Sequence, residues 1–233
     1  MAQDPLPREQ IIEVLSTKSI IKSRVFDKTL GVFNLLKDVL AEASNDMNDL
    51  LEDNHERRVR LEYRDRGKFE AELKFADDVL VFSMHSDVFQ FDRGHSVWKN
   101  PYVKEDPFNS YVGVISIYNF LSDSFKYNRN EDMGYLIARV FVNRDGYFFV
   151  EGKRQKRRYT RSFGTVLLDR EELISIVDTA ILYTLSFDLL VPPFDLVKVA
   201  NVEQINTKIE SSKMQTAKRL GYQYNSDDVL ENE

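Results

Sequence analysis

Apolar residues recur along this chain with two different periods, and the points where the period changes divide it into elements. Ile11, Ile12 and Leu15 share one side of a short amphipathic helix over Pro7–Thr17. Phe33, Leu36, Leu40, Ala43, Met47 and Leu50 then alternate spacings of three and four, with Asp27 as an N-cap, which predicts a helix of roughly 26 residues and about 39 Å. From Glu56 the period falls to two. Val59, Leu61 and Tyr63 alternate with Arg58, Arg60, Glu62 and Arg64; Arg66-Gly67 makes a turn; Phe69, Ala71, Leu73 and Phe75 alternate with Glu70, Glu72 and Lys74. Two strands with one wet face follow. After Asp77-Asp78, the apolar run Val79–Phe82 suits a buried third strand, extended or bent toward Val88, Phe89 and Phe91.

Asp92 to Phe108 has no period, contains Pro101 and Pro107, and reads as a long loop. Tyr111, Val114, Tyr118, Leu121 and Phe125 return to spacings of three and four, predicting a helix capped by Asn109 or Ser110. Beyond Asn128–Asp132, Leu136, Ala138, Val140 and Val142 alternate with their neighbours, Asp145-Gly146 supplies a tight turn, and Tyr147–Glu151 runs back as a hairpin. Asp169 with Glu172 opens a helix whose Leu173, Ile176, Val177, Ala180, Ile181, Thr184 and Leu185 cover more than half its circumference, so it belongs in the core. Pro192-Pro193 ends it, and Asn201 with Gln204 starts a last helix carrying Val202, Ile205 and Ile209. The expected fold is α+β: a twisted antiparallel sheet of three strands plus a hairpin, covered by helices. Residues 27–190 form its core domain. Residues 1–26 are an N-terminal helical extension, 191–224 a C-terminal one, and 225–233 an acidic tail expected to be disordered.

Composition narrows the chemistry. With 233 residues, 42% of them hydrophobic, the chain can build a core of its own. It has no Cys, which excludes disulfides, thiolate zinc sites and cysteine nucleophiles and fits a reducing compartment. Met1–Arg8 is polar and contains proline, unlike a secretory leader. The most apolar window, Leu173–Val191, carries Asp178 and Asp188, which argues for a buried helix over a membrane span. A cytoplasmic protein without membrane insertion is expected. The net charge of -6 disfavours general nucleic-acid binding. Against that background Lys153, Arg154, Lys156, Arg157, Arg158 and Arg161, with Tyr159 among them, form a dense basic run. It is either an anion-binding site for nucleic acid or lipid phosphates or a solvated hairpin end.

Reactive groups are sparse. His85, Asp87, Asp92 and His95 lie close together and are of metal-ligating type, yet their spacing matches no established metal motif. His55, among Asp53, Asn54 and Glu56, is a helix-end histidine. Ser83 and Ser86 beside His85 are the local nucleophile candidates, no glycine-rich phosphate loop occurs, and 38 Asp plus Glu offer no basis for choosing an acid–base pair. No catalytic residue, metal ligand or cofactor is therefore assigned. The first reading is a polypeptide-binding module, with Trp98, Tyr102 and Phe108 as loop anchors. Phe33, Leu36, Leu40 and Met47 either cover the sheet or form the seam of a homodimer. Two alternatives are a polyanion binder acting through residues 153–161 and a metal-assisted enzyme at His85 and His95.

Ile117-Tyr118-Asn119-Phe120, Asn128 and Asn130, Gly134 to Val142, Asp145-Gly146, Tyr147 to Val150 and the helix from Asp169 to Leu190 carry one further indication. In element order, from Asp27 to Leu190, the chain resembles the YbjN-like proteins and, more broadly, the class I type III secretion chaperones. The resemblance implies a non-enzymatic protein that dimerises or binds polypeptide partners. The N-terminal helix, the aromatic loop, the basic hairpin end and the C-terminal helix depart from that pattern and leave the partner class open.

Overall fold

The computed structural model describes residues 7–53, 59–130, 132–152 and 163–187. Helical backbone runs without interruption through α1 (Pro7–Val14), a π turn (Leu15–Ser19) and α2 (Ile20–Asp53). The separate helix expected to begin at Asp27 is thus part of one longer helix. Lys18 to Phe26 holds neither Gly nor Pro, so nothing stops the first helix before the second begins. α1 buries no side chain, whereas Val25 and Thr29 in α2 are fully buried.

The strands are β1 (Glu62–Asp65), β2 (Glu70–Phe75), β3 (Asp78–Met84), β4 (Phe89–Gln90), β5 (Tyr111–Leu121), β6 (Tyr135–Val142) and β7 (Phe148–Gly152). All pair antiparallel in the order β1-β2-β3-β5-β6-β7, and β4 continues the β3 side of β5. Short helical turns, with α3 (Pro101–Glu105) among them, fill the connection from β4 to β5; α4 (Ser122–Lys126) follows β5, and α5 (Arg170–Leu185) follows the hairpin. The fold is the expected α+β type. The capping pair at the start of α5 is present, with the Glu172 backbone N–H donating to Asp169 Oδ1 at 2.9 Å. Gly146 sits at φ +89° in the hairpin turn, where Asn143 Oδ1 accepts from the N–H groups of Asp145 and Tyr147.

The helix predicted from Tyr111 to Phe125 is instead the central strand β5, followed by the single turn of α4. Val112, Val114, Ile115 and Ile117 are β-branched, which favours a pleated strand over a helix. Both faces of β5 are covered, so apolar residues occupy successive positions and the period of two is hidden. Gly113 reports the same packing, because a Cβ there would overlap the Thr29 side chain of α2.

On the inner face, Leu73, Phe75, Leu80, Phe82, Ile115, Ile117 and Val140 pack against α2 and α5 in the main core. Phe33, Leu36 and Leu40 belong to that core at 0–2% exposure, and Met47 packs partly buried on it. Of the two readings of this stripe, cover for the sheet is therefore the one realised, and the sheet provides the apolar surface that the dimer-seam alternative gave to a second copy. Uncovering one such side chain would forfeit about 1.5–3 kcal/mol. A second core lies on the outer face, where Val97 and Val103 from the β4–β5 connection join Val112, Phe141, Phe149 and Phe163. The remaining outer face, over β1, β2 and β3, carries the wet positions of the sequence pattern.

α2 straps the β1 side of the sheet at both ends. Asn48 donates from Nδ2 to the Leu61 carbonyl at 2.9 Å and accepts the Leu61 N–H at 2.8 Å, imitating a neighbouring strand, and Ser44 Oγ donates to the same carbonyl. Lys37 completes the strap through Asp65 Oδ1 and the Gly67 carbonyl. Such devices suppress pairing with a further strand.

Candidate functional site

The wet positions of β1 and β2 form rows across the outer face. Glu62 stands opposite Lys74, which stands opposite Val79, itself opposite Phe120; the next row is Arg64, Glu72, Val81 and Tyr118. These rows are charged at the β1 end and aromatic at the β5 end. α4 rises from the aromatic end. The Ser122 N–H donates to the Asp77 carbonyl, and the turn after α4 folds back through Asn128 at φ +50°, a backbone conformation asparagine tolerates well. Ser124 Oγ donates to Asp132 Oδ2 at 2.6 Å, and the buried Arg129 guanidinium lies 3.4 Å from the same oxygen. This anchored turn holds Phe125 edge-on to Phe120 at 5.3 Å with 42% of its surface exposed.

Between the two walls lies a cleft of about 390 Å³. Glu62, Arg64, Arg66, Glu72, Lys74 and Val79 form its sheet side. Ser122, Phe125, Lys126 and Asn128 form the other. The volume lies in the range of ligand pockets, roughly 300–1,000 Å³. Glu72 is the unusual member. It is only 6% exposed, and among the described residues its Oε1 accepts no hydrogen bond. Arg66 Nε lies 3.3 Å away but is drawn also to Glu70 at 3.5 Å. Glu62 is shared between Arg64 at 3.1 Å and Lys74 at 3.9 Å. A hydrogen bond to Tyr127, aided by nearby Asp123, raises the pKa of the Lys126 ammonium above an ordinary value that already leaves it charged at neutral pH. The cleft thus joins cations, one under-satisfied carboxylate and an accessible aromatic ring, a set suited to holding a ligand.

The residues singled out in the sequence lie elsewhere. Trp98 donates its indole N–H to the Asp92 carbonyl at 2.8 Å and is overlaid by the Arg93 guanidinium 4.0 Å from its ring. Tyr102 donates its hydroxyl to Asp145 and accepts from Asn143 Nδ2, and burial followed by the Asp145 bond pushes its pKa up. Both side chains bind the β4–β5 connection to the outer face. Phe108 stacks on Tyr111 and keeps 37% exposure. His85 accepts the Asp87 N–H at Nδ1 and sets its ring edge-on to Phe89; His95 accepts the Val97 N–H, stacks on Phe91 and points Nε2 toward Glu151. The two imidazoles pack on different phenylalanines, and among the described residues no three His, Asp or Glu side chains gather as metal ligands. His55, the basic run from Lys153 to Arg161, the last helix and the acidic tail lie outside the described residues.

The charged strip was visible in the sequence as the wet alternation of two strands. Its partner wall is hidden, because in the sequence Phe125 falls on the stripe of a helix that does not form. No helix among the described residues is long and apolar enough to cross a membrane. Comparison with family models, curated proteins and solved structures gives no match to this chain.

Proposed function

We propose that the chain is a non-enzymatic binding module that takes a segment of a polypeptide partner into the cleft between β1–β2 and α4. The observation carrying this reading is Glu72. A carboxylate oxygen withdrawn from water that accepts no hydrogen bond, and has the shared Arg66 3.3 Å away, costs stability, up to about 1–3 kcal/mol, and such a cost is retained where a ligand supplies a donor. Three further points support it. The inner face is filled by α2 and α5, so a ligand meets the outer face. Asn48 closes the backbone of Leu61, which turns recognition away from strand addition at β1 and toward side chains in the cleft. The resemblance to YbjN-like proteins and secretion chaperones leads to the same class of partner. Because the candidate homodimer seam lies in the core, this reading does not depend on self-association.

The test is selection of peptides from a displayed random library by the full chain, followed by calorimetry on the peptides enriched. The reading expects binding that is lost on Phe125→Ala and on Glu72→Leu and kept on Phe108→Ala. Failure to enrich any peptide, or peptides indifferent to both cleft substitutions, would overturn it.

A further inference from the structure

The cleft also states what kind of segment it takes. Its lining contains four cations, Arg64, Arg66, Lys74 and Lys126, against two carboxylates, Glu62 and Glu72. Two further carboxylates, Glu70 and Asp123, act on these cations, but neither lines the cleft. Inside the cleft the balance is therefore positive, on a chain whose net charge is -6. Clefts with low-dielectric walls concentrate the field of their lining charges, so this sign governs what enters.

Resting on the polypeptide reading above, we infer that the recognised segment is acidic: carboxylates meet Lys74, Arg64 and Lys126 while an adjacent apolar side chain covers Phe125. The parts divide the work. Lys74 and Arg64 share one carboxylate, Glu62, at 3.9 and 3.1 Å, so a ligand carboxylate adds charge compensation that Glu62 alone does not complete. Lys126 faces them from α4. Phe125 offers exposed apolar surface beside Lys126 on the same wall. Glu72 Oε1 then accepts an N–H from the segment, backbone or amide, which is a neutral donor that the surrounding cations do not repel. A basic segment would satisfy Glu72 equally well but would bring its charge against all four lining cations. Electrostatics of this kind sets specificity through the penalty on the wrong partner as much as through the gain from the right one.

The experiment uses the full chain and fluorescein-labelled hexapeptides, one of alternating glutamate and leucine and one of alternating lysine and leucine, followed by fluorescence anisotropy. A thymidine oligonucleotide and inorganic phosphate serve as competitors. The acidic peptide should bind, with affinity falling as salt rises, and should weaken by at least about tenfold on the charge reversal Lys74→Glu, equivalent to about 1.4 kcal/mol. A Lys74→Glu, Lys126→Glu double variant, whose lining becomes two cations against four carboxylates, should in turn gain the basic peptide, a rescue that misfolding would not produce. Lys74→Met, with melting curves for every variant, separates lost charge from lost structure. Cleft-dependent binding of the basic peptide by the parent chain would overturn the inference and leave the polypeptide reading standing. Displacement of the acidic peptide by the oligonucleotide or phosphate at equal concentration would overturn it in favour of a general anion site. Binding of neither peptide, together with a failed library selection, would overturn both.

Discussion

Replacing Glu72 with leucine should make the protein more stable, and the size of the gain follows from its surroundings. The residue is 6% exposed and its Oε1 accepts no hydrogen bond among the described residues, a deficit of about 1–3 kcal/mol. Arg66 offsets part of this, but its guanidinium is 45% exposed and shared with Glu70, so solvent screening limits the pair to about 0–1 kcal/mol. A leucine at position 72 would instead meet Val81, which stands directly opposite on β3 and is itself buried. Together these give an expected stabilisation of about 1–2 kcal/mol, or about 2–4 °C in Tm for each kcal/mol in a chain of this size. Urea unfolding followed by circular dichroism, with an unchanged m-value, is the appropriate assay. A loss of more than about 1 kcal/mol, matched by Arg66→Met, would show that the carboxylate serves the fold as an ion pair, and the argument for a ligand site would lose its main support.

Other substitutions test the fold that presents the cleft. Asn48→Ala should cost about 1–3 kcal/mol, because it leaves the Leu61 N–H without its acceptor, and it should promote concentration-dependent association visible by light scattering. Tyr102→Phe should destabilise by about 1–2 kcal/mol through its lost bonds to Asp145 and Asn143, while Phe108→Ala stays within about 0.5 kcal/mol, both read from thermal melts. Burial raises the pKa of Asp178, so its folded form holds a proton more tightly than the unfolded chain and its ionisation opposes folding at neutral pH. Asp178→Asn should therefore raise stability at pH 7, and the advantage should shrink as pH falls through the raised value and vanish once the unfolded aspartate is protonated as well, as a pH series of urea midpoints would show. Removing residues 7–14 should leave the urea midpoint unchanged, since α1 buries no side chain.

Much of this architecture was legible from residues alone, and the failures have a common physical cause. Strands with one dry face declared themselves: the alternation of Ala71, Leu73 and Phe75 with Glu70, Glu72 and Lys74 appears unchanged as β2, whose dry positions enter the core. β5 did not. With one face on α2 and the other on the second core and α4, its apolar residues carry no single period, and Tyr111, Val114, Tyr118 and Leu121 happened to match helical spacing. The stripe of α2 was correctly periodic but silent about its partner, since Phe33, Leu36 and Leu40 would look the same facing a sheet or a second copy. The aromatic loop misled for a related reason. Trp98 and Tyr102 look like exposed anchors in a polar sequence, but Trp98 is engaged by its loop neighbours Asp92 and Arg93, and Tyr102 by Asn143 and Asp145, whose proximity only the fold creates. The cleft escaped because one wall was assigned to a solvated strand face and the other to the wrong element.

The most direct measurement of the central claim is an NMR titration of the isotopically labelled full chain with the glutamate–leucine hexapeptide. The account predicts saturable shifts concentrated at Arg64, Glu72, Lys74, Val79 and Phe125, with the inner core and the 96–110 connection unmoved. Shifts centred instead on Phe108 and Tyr111, or on the exposed face of α1, would contradict it and move the binding site off the outer face of β1–β2.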